Sequence, residues 1–181
     1  MASDPARRLL LLRHAKSAWP EDVADHERPL AGRGRGDAPA IGRWLRKSGY
    51  VPDLVLCSTA RRARETWQLA EEKLGSKPPT TFERRVYGAG PSELLGLARQ
   101  TPADVRTLMI VGHEPTMSDL TLELARPEPG EALERVQDKF PTAAIAVLTF
   151  TSGWPELAPG QARLDEFVTP ADLPSRPRGK R

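Results

Sequence analysis

Two histidines and a group of arginines stand directly after apolar runs. Residues 9–12 (LLLL) lead into Arg13 and His14. Residues 53–57 (DLVLC) lead into Ser58, Thr59, Ala60, Arg61 and Arg62. Residues 106–111 (RTLMIV) lead into Gly112, His113, Glu114 and Pro115. In open α/β sheets, ligands gather at the carboxyl ends of the strands. If these runs are neighbouring strands, the polar residues that follow them meet at one edge. Arginine offers phosphate oxygens paired hydrogen bonds in a fixed fork. A helix N-terminus adds N–H donors and partial positive charge, and a histidine nitrogen can attack phosphorus and form a covalent intermediate. The chemistry such a group would do is phosphate binding and phosphoryl transfer. Each residue alone has a plainer explanation: His14 as a structural histidine, Arg13 as a strand end, His113 as a turn residue, and Arg61, Arg62 and Arg64 as a solvated helix face. Spacing alone leaves both readings open.

Other chemistries fail on spacing. Cys57 precedes an arginine-rich helix start, as in cysteine-dependent phosphatases, but the arginine those enzymes need six positions on is here Ala63. Cys57 reads instead as a buried strand residue. No G-x-x-x-x-G-K-S/T loop and no strand followed by G-x-G-x-x-G is present, and GRGRG at 32–36 opens a helix without matching a known cradle. Three widely spaced histidines and one cysteine match no zinc pattern. The sequence therefore predicts no metal and no cofactor.

The elements that must position these residues alternate in type. Strands are expected at 9–12, 53–57, 106–111 and 143–150, with a possible edge strand at 162–168. Helices are expected at 33–48, 60–74, 92–99 and 116–125, from apolar spacing and glycine or proline stops. This alternation predicts one α/β domain, a three-layer α/β/α sandwich around a largely parallel central sheet, and the short chain leaves little room for a large cap insertion.

The 181 residues suit a single domain, here taken as 1–169, followed by a basic tail at 170–181 expected to be disordered. The tail holds Arg176, Arg178, Lys180 and Arg181 against Asp172, so the formal charge of +3 resides there and the body is neutral. A nucleic-acid protein would carry its basic face on the folded body, so no nucleic-acid partner is expected. No apolar run approaches the ~20 residues that span a bilayer. The apolar stretch at 9–12 is too short for a signal peptide and reads as the first strand. A single cysteine forbids an internal disulfide and fits a reducing compartment. The expectation is a cytoplasmic monomer without membrane contact.

LLRHAKSAW resembles the RHG signature of the histidine phosphatase superfamily, also called phosphoglycerate mutase-like, and the SixA-like phosphohistidine phosphatase branch fits best. The likeness covers roughly residues 8–168. DHERPLAGRGRGDA is similar to the branch's stretch at Asp25, Arg28, Pro29, Leu30, Gly34 and Ala38. LVLCSTARRARETW matches at Ser58, Arg62, Ala63 and Thr66, IVGHEP at His113, and FPTAAIAVLTF with the following tryptophan resembles the branch's ending. Ala15 replaces the signature glycine. Ala31 stands where a threonine commonly caps the next helix, a loss of ~1 kcal/mol.

The resemblance implies roles. His14 is the nucleophile, and Arg13, Arg62 and His113 bind the transferred phosphoryl group. Ser17 to Trp19 line the entrance, and Ser17 and Arg28 help frame the phosphate. Larger members carry a glutamate proton donor before an arginine-x-tyrosine-glycine stretch. FERRVYGAG offers Glu83 as that acid, one residue further from Tyr87 than the pattern expects, while Glu114 reads as a surface carboxylate. An alkyl phosphate expels a poor leaving group and benefits from an acid. Phosphohistidine expels an imidazole of pKa ~6.5 and needs less help. The expected function is thus hydrolysis of phosphohistidine on a phosphorylated protein through a covalent intermediate on His14. A general phosphomonoesterase acting on small phosphorylated substrates is the alternative, and a non-catalytic phosphate-binding module a second one.

Overall fold

Four consecutive leucines make sense only in a strand covered on both faces, and the computed structural model, which describes residues 6–174, has that arrangement. Strand β1 (Arg7–Arg13) lies inside a six-stranded sheet of order β3-β2-β4-β1-β5-β6. The others are β2 (Leu54–Ser58), β3 (Thr80–Glu83), β4 (Thr107–Gly112), β5 (Ile145–Phe150) and β6 (Arg163–Val168). β1 pairs parallel with β4, β4 with β2, and β2 with β3, whereas β5 runs antiparallel to β1 and to β6. The sheet is therefore largely parallel.

Leu9 and Leu11 pack into one core with residues of α3 (Pro91–Arg99), α4 (Thr116–Leu124) and α5 (Glu131–Asp138). Leu10 and Leu12 pack into the other with residues of α1 (Gly32–Ser48) and α2 (Arg61–Glu71). This is the α/β/α sandwich expected from the alternation of patterns. α1 and α2 meet closely because residue 42 is glycine: a Cβ there would lie 2.0 Å from the Ala70 carbonyl oxygen.

Two elements escaped the sequence reading. β3 is a four-residue strand with no apolar run, paired only with β2. α5, EALERVQD, fully buries only Val136, with Ala132 and Leu133 partly buried against the same core, a short apolar stripe among charged residues. β5 begins at Ile145 rather than Ala143, because Ala143 adopts a positive φ of 60° and turns the chain into the strand. The turn Pro170–Asp172 falls in the expected tail but is tied to the fold: Asp172 Oδ2 accepts hydrogen bonds from Arg135 Nη2 (2.6 Å) and the Thr169 amide (2.8 Å). Residues 175–181, with the tail's four basic side chains, lie outside the described residues. No helix among the described residues is long and apolar enough to cross a membrane.

Ala31 is the N-cap of α1, in extended backbone geometry (φ −77°, ψ 168°) and without a side-chain cap. Threonine fits that geometry and supplies the missing acceptor. Ala31→Thr is expected to stabilise the domain by about 1 kcal/mol, raising Tm by about 2–4 °C in thermal denaturation.

Candidate active site

The parallel strands deliver their carboxyl ends to one edge. Arg13 closes β1 opposite Gly112 of β4, and Ser58 closes β2. His14 is pinned from two sides: its amide donates to the Gly112 carbonyl (3.0 Å) and its carbonyl accepts from the Ala143 amide (3.0 Å). The next amide, of Ala15, donates to Thr66 Oγ1 on α2 (2.9 Å). The 16–18 loop lies along residues 29–31 through paired backbone hydrogen bonds. Gly34 permits this approach, since a Cβ there would sit 2.2 Å from the Lys16 carbonyl oxygen. The result is an open cleft of about 190 Å³ whose lining includes Arg13, His14, Ser17, Arg28, Arg62 and His113.

The two imidazoles are held in defined states. His14 Nδ1 lies 2.8 Å from the Ala15 carbonyl oxygen. A carbonyl only accepts, so Nδ1 carries the proton and the Nε2 lone pair is free. Burial pushes the His14 pKa down to about 3, with the His113, Arg62 and Arg13 charges adding to the effect and the Ala15 hydrogen bond opposing it. His113, with its ring centroid 5.2 Å from that of His14, is lowered to about 4, first by burial and then by Arg62. Its Nε2 is 2.8 Å from Ser58 Oγ, which also accepts the Ala60 amide. Arg13 Nε, Arg62 Nε and His113 Nδ1 are buried without a hydrogen-bond partner. Each such orphan costs about 1–3 kcal/mol, and all three belong to residues lining this one cleft.

A carboxylate organises the cations. Asp25 Oδ2 accepts from Arg62 Nη2 (3.1 Å) and the Tyr87 hydroxyl (2.7 Å), Oδ1 accepts from Arg28 Nη1 (3.1 Å), and the Asp25 carbonyl accepts from Arg62 Nη1 (2.7 Å). The Tyr87 hydrogen bond, with those of Arg28 and Arg62, holds the Asp25 carboxyl down at about 2. Arg28 also donates to the Ala18 carbonyl and to Ser17 Oγ (2.6 Å), so Ser17 and Arg28 line the cleft as a mutually bonded pair. Arg13 donates to the Phe140 carbonyl (2.9 Å).

Glu83 is a correction to the sequence reading. It ends β3 outside the cleft lining and is chelated by Arg85, which donates from its amide, Nε and Nη2. That chelation lowers its pKa, the opposite of what a proton donor requires. Glu114, expected at the surface, does line the cleft, but its oxygens accept from the amide and hydroxyl of Ser118 at 2.6 and 2.8 Å.

Residues 9–86 match the model of the histidine phosphatase superfamily, branch 1. The fold superposes with a TM-score of 0.80 on a candidate phosphohistidine phosphatase SixA from Nakamurella multipartitia, 34% identical over 94% of this chain and 99% of that one. The chain belongs to the histidine phosphatase superfamily, in its SixA-like branch. A second solved structure of the branch, from Agrobacterium tumefaciens, is 31% identical over 90% of this chain and 97% of that one, at a TM-score of 0.75. An uncharacterized protein of Mycobacterium tuberculosis is 45% identical over 88% of this chain and 99% of its own length. A phosphatase-type hydrolase is the activity class that superfamily membership supports.

The structure thus brings together Arg13, His14, Ser17, Arg28, Arg62 and His113, and leaves Glu83 apart. Asp25, Ser58, Thr66 and Tyr87 complete the arrangement. Three of these stood in the quoted motifs without an assigned task, and Tyr87 served only to place Glu83. Asp25→Asn keeps the shape and removes the charge that aligns Arg62 and Arg28. Phosphatase kcat/KM is expected to fall about tenfold or more, the scale of one or two charge-assisted hydrogen bonds.

Both imidazoles titrate below the ordinary value of ~6.5. Ring-proton NMR is expected to place His14 near 3 and His113 near 4. Below ~6.5 the unfolded chain takes up protons that the folded site refuses, so stability falls as pH drops from there to about 4 for His113 and about 3 for His14, and owes these two groups no slope above pH 7. Thermal melts should show the decline, and His14→Gln should make it shallower.

Proposed function

We propose that the protein hydrolyses phosphohistidine carried on proteins, through a covalent phosphohistidine on His14. The observation that carries this reading is the neutral His14 imidazole, with Nε2 free, among three buried donors that no protein group satisfies. Arg13, Arg62 and His113 line the same cleft as His14, so a phosphoryl group on His14 would lie among them. Ser58 Oγ lies 2.8 Å from His113 Nε2, and with the hydroxyl as donor the ring proton would sit on Nδ1, available to a phosphate.

The steps balance without an acid from the protein. His14 Nε2 attacks phosphorus as the bond from phosphorus to the substrate imidazole breaks. A substrate ring protonated at its distal nitrogen departs as neutral imidazole. Phosphorylated His14 retains its Nδ1 proton and is formally cationic, a charge the Ala15 carbonyl stabilises. Water then attacks phosphorus, His14 leaves as the neutral ring it began as, and inorganic phosphate carries away the water's protons.

The state of the carboxylates favours this substrate class over alkyl esters. Asp25 is held ionised by two arginines and a tyrosine, Glu83 is bound by Arg85, and Glu114 is bound by Ser118. None is poised to protonate an alkoxide. The open cleft also admits a side chain projecting from a protein surface. Arg28 and Ser17, bonded to each other, brace the loop beside the phosphoryl site.

The test measures phosphate release from a histidine-phosphorylated protein domain, with a simple alkyl phosphate in parallel. Wild type is expected to release phosphate quickly from phosphohistidine and slowly from the ester, and His14→Ala from neither. Glu83→Gln is expected to match wild type. Preference for the ester, lost in Glu114→Gln, would replace this reading with a phosphomonoesterase that uses Glu114. Equal rates for wild type and His14→Ala would remove His14 as nucleophile.

A further inference from the structure

Trp19 is the most exposed large hydrophobic side chain among the described residues, at 76%, and it lines the cleft that holds His14. A single exposed apolar residue needs no explanation in itself. What sets Trp19 apart is its support. The Arg28 guanidinium carbon lies 3.2 Å from the indole centroid. Arg28 is itself fixed at three nitrogens, by the Ala18 carbonyl, Asp25 and Ser17. One face of the indole rests on this braced cation, and the exposure of the ring leaves the opposite face open. The indole is thus a supported plate at the rim of a cleft floored by phosphate-binding donors. A phosphoryl group on a flat ring satisfies both features: its oxygens meet Arg13, Arg62 and His113, and its ring lies against the indole. An aliphatic or ammonia leaving group offers no such face.

We infer that Trp19 is a substrate-binding residue that stacks on a planar leaving group, so that the site prefers phosphoryl groups carried on imidazole or aryl rings. The inference rests on the proposed phosphoryl transfer to His14. In that transfer the bond from phosphorus to the ring breaks as the bond from phosphorus to His14 Nε2 forms, and the ring leaves with its electron pair. Once the ring has gone, Trp19 has no part in the attack of water on the phosphorylated histidine.

The test compares phosphoimidazole with phosphoramidate, two carriers with a phosphorus–nitrogen bond of which only the first is planar. Wild type, Trp19→Ala and Trp19→Phe are assayed for kcat/KM, and rapid quench follows breakdown of the phosphorylated enzyme. Trp19→Ala is expected to lower kcat/KM for phosphoimidazole about fivefold, mainly through KM. Phosphoramidate turnover and phosphoenzyme breakdown are expected to stay near wild type, and Trp19→Phe to recover most of the loss. Equal losses on both carriers, or slowed phosphoenzyme breakdown, would overturn the inference and make Trp19 a brace for Arg28. No loss on phosphoimidazole would also overturn it, and a loss confined to a phosphorylated protein would assign Trp19 to the carrier's surface. A wild type that forms no phosphoenzyme from either carrier would overturn the reading of His14, and this inference with it.

Discussion

The hydrogen bond from His14 Nδ1 to the Ala15 carbonyl is the contact on which the site depends. It fixes the tautomer, aims the ring and leaves Nε2 with its lone pair. A carbonyl one residue along the chain can do this only if the backbone there is rigid. Gly112, Ala143 and Thr66 each hold residues 14 and 15, one from β4, one from the approach to β5 and one from α2. Those anchors in turn depend on β1 lying in the sheet with both faces buried. The leucine run therefore serves the imidazole directly: it fixes the strand from whose end the ring projects.

Such a ring sits in an unfavourable place for a proton. Burial and the neighbouring Arg13, Arg62 and His113 all oppose protonation, and only the Ala15 carbonyl favours it. The same surroundings that keep His14 neutral would receive a phosphoryl dianion well. The buried nitrogens Arg13 Nε, Arg62 Nε and His113 Nδ1 have no protein partner, a cost that bonding to an anion would reduce. Asp25 is the counterweight. One carboxylate holds two guanidiniums without lining the cleft itself, so it neutralises part of the charge and fixes where the arginines lie.

What the sequence made legible follows from this geometry. Residues delivered by strand ends were visible, because a buried apolar run that stops at a histidine or an arginine is an unusual junction. Arg13 and His14 belong to that class and His113 and Arg62 follow shortly after such runs, while their roles rest on the family resemblance. Asp25 lies on a loop with no periodic element around it, and its task depends on Arg28, Arg62 and Tyr87 converging from separate segments. Its place in a motif carried no information about that convergence. The spacing of Glu83 from Tyr87 carries no sign that the side chain of its neighbour Arg85 folds back onto it. β3 is hard to read because it holds a single apolar residue, and α5 because its apolar stripe of Ala132, Leu133 and Val136 spans little more than one turn.

The fates of the carboxylates and of His14 are parts of one electrostatic arrangement. A carboxyl kept protonated near neutral pH needs burial or a like charge beside it. Asp25 meets two guanidiniums and a hydroxyl instead, and Glu83 a guanidinium and an amide, and each such partner favours the ionised form. The cationic character that prepares the cleft for a phosphoryl group therefore works against a resident proton donor. A substrate whose leaving group brings its own proton suits such a site. An imidazole protonated at its distal nitrogen does so, and an alkoxide does not. The proposed preference for phosphohistidine would then follow from how the anion site is built, with Trp19 acting on the ring that leaves.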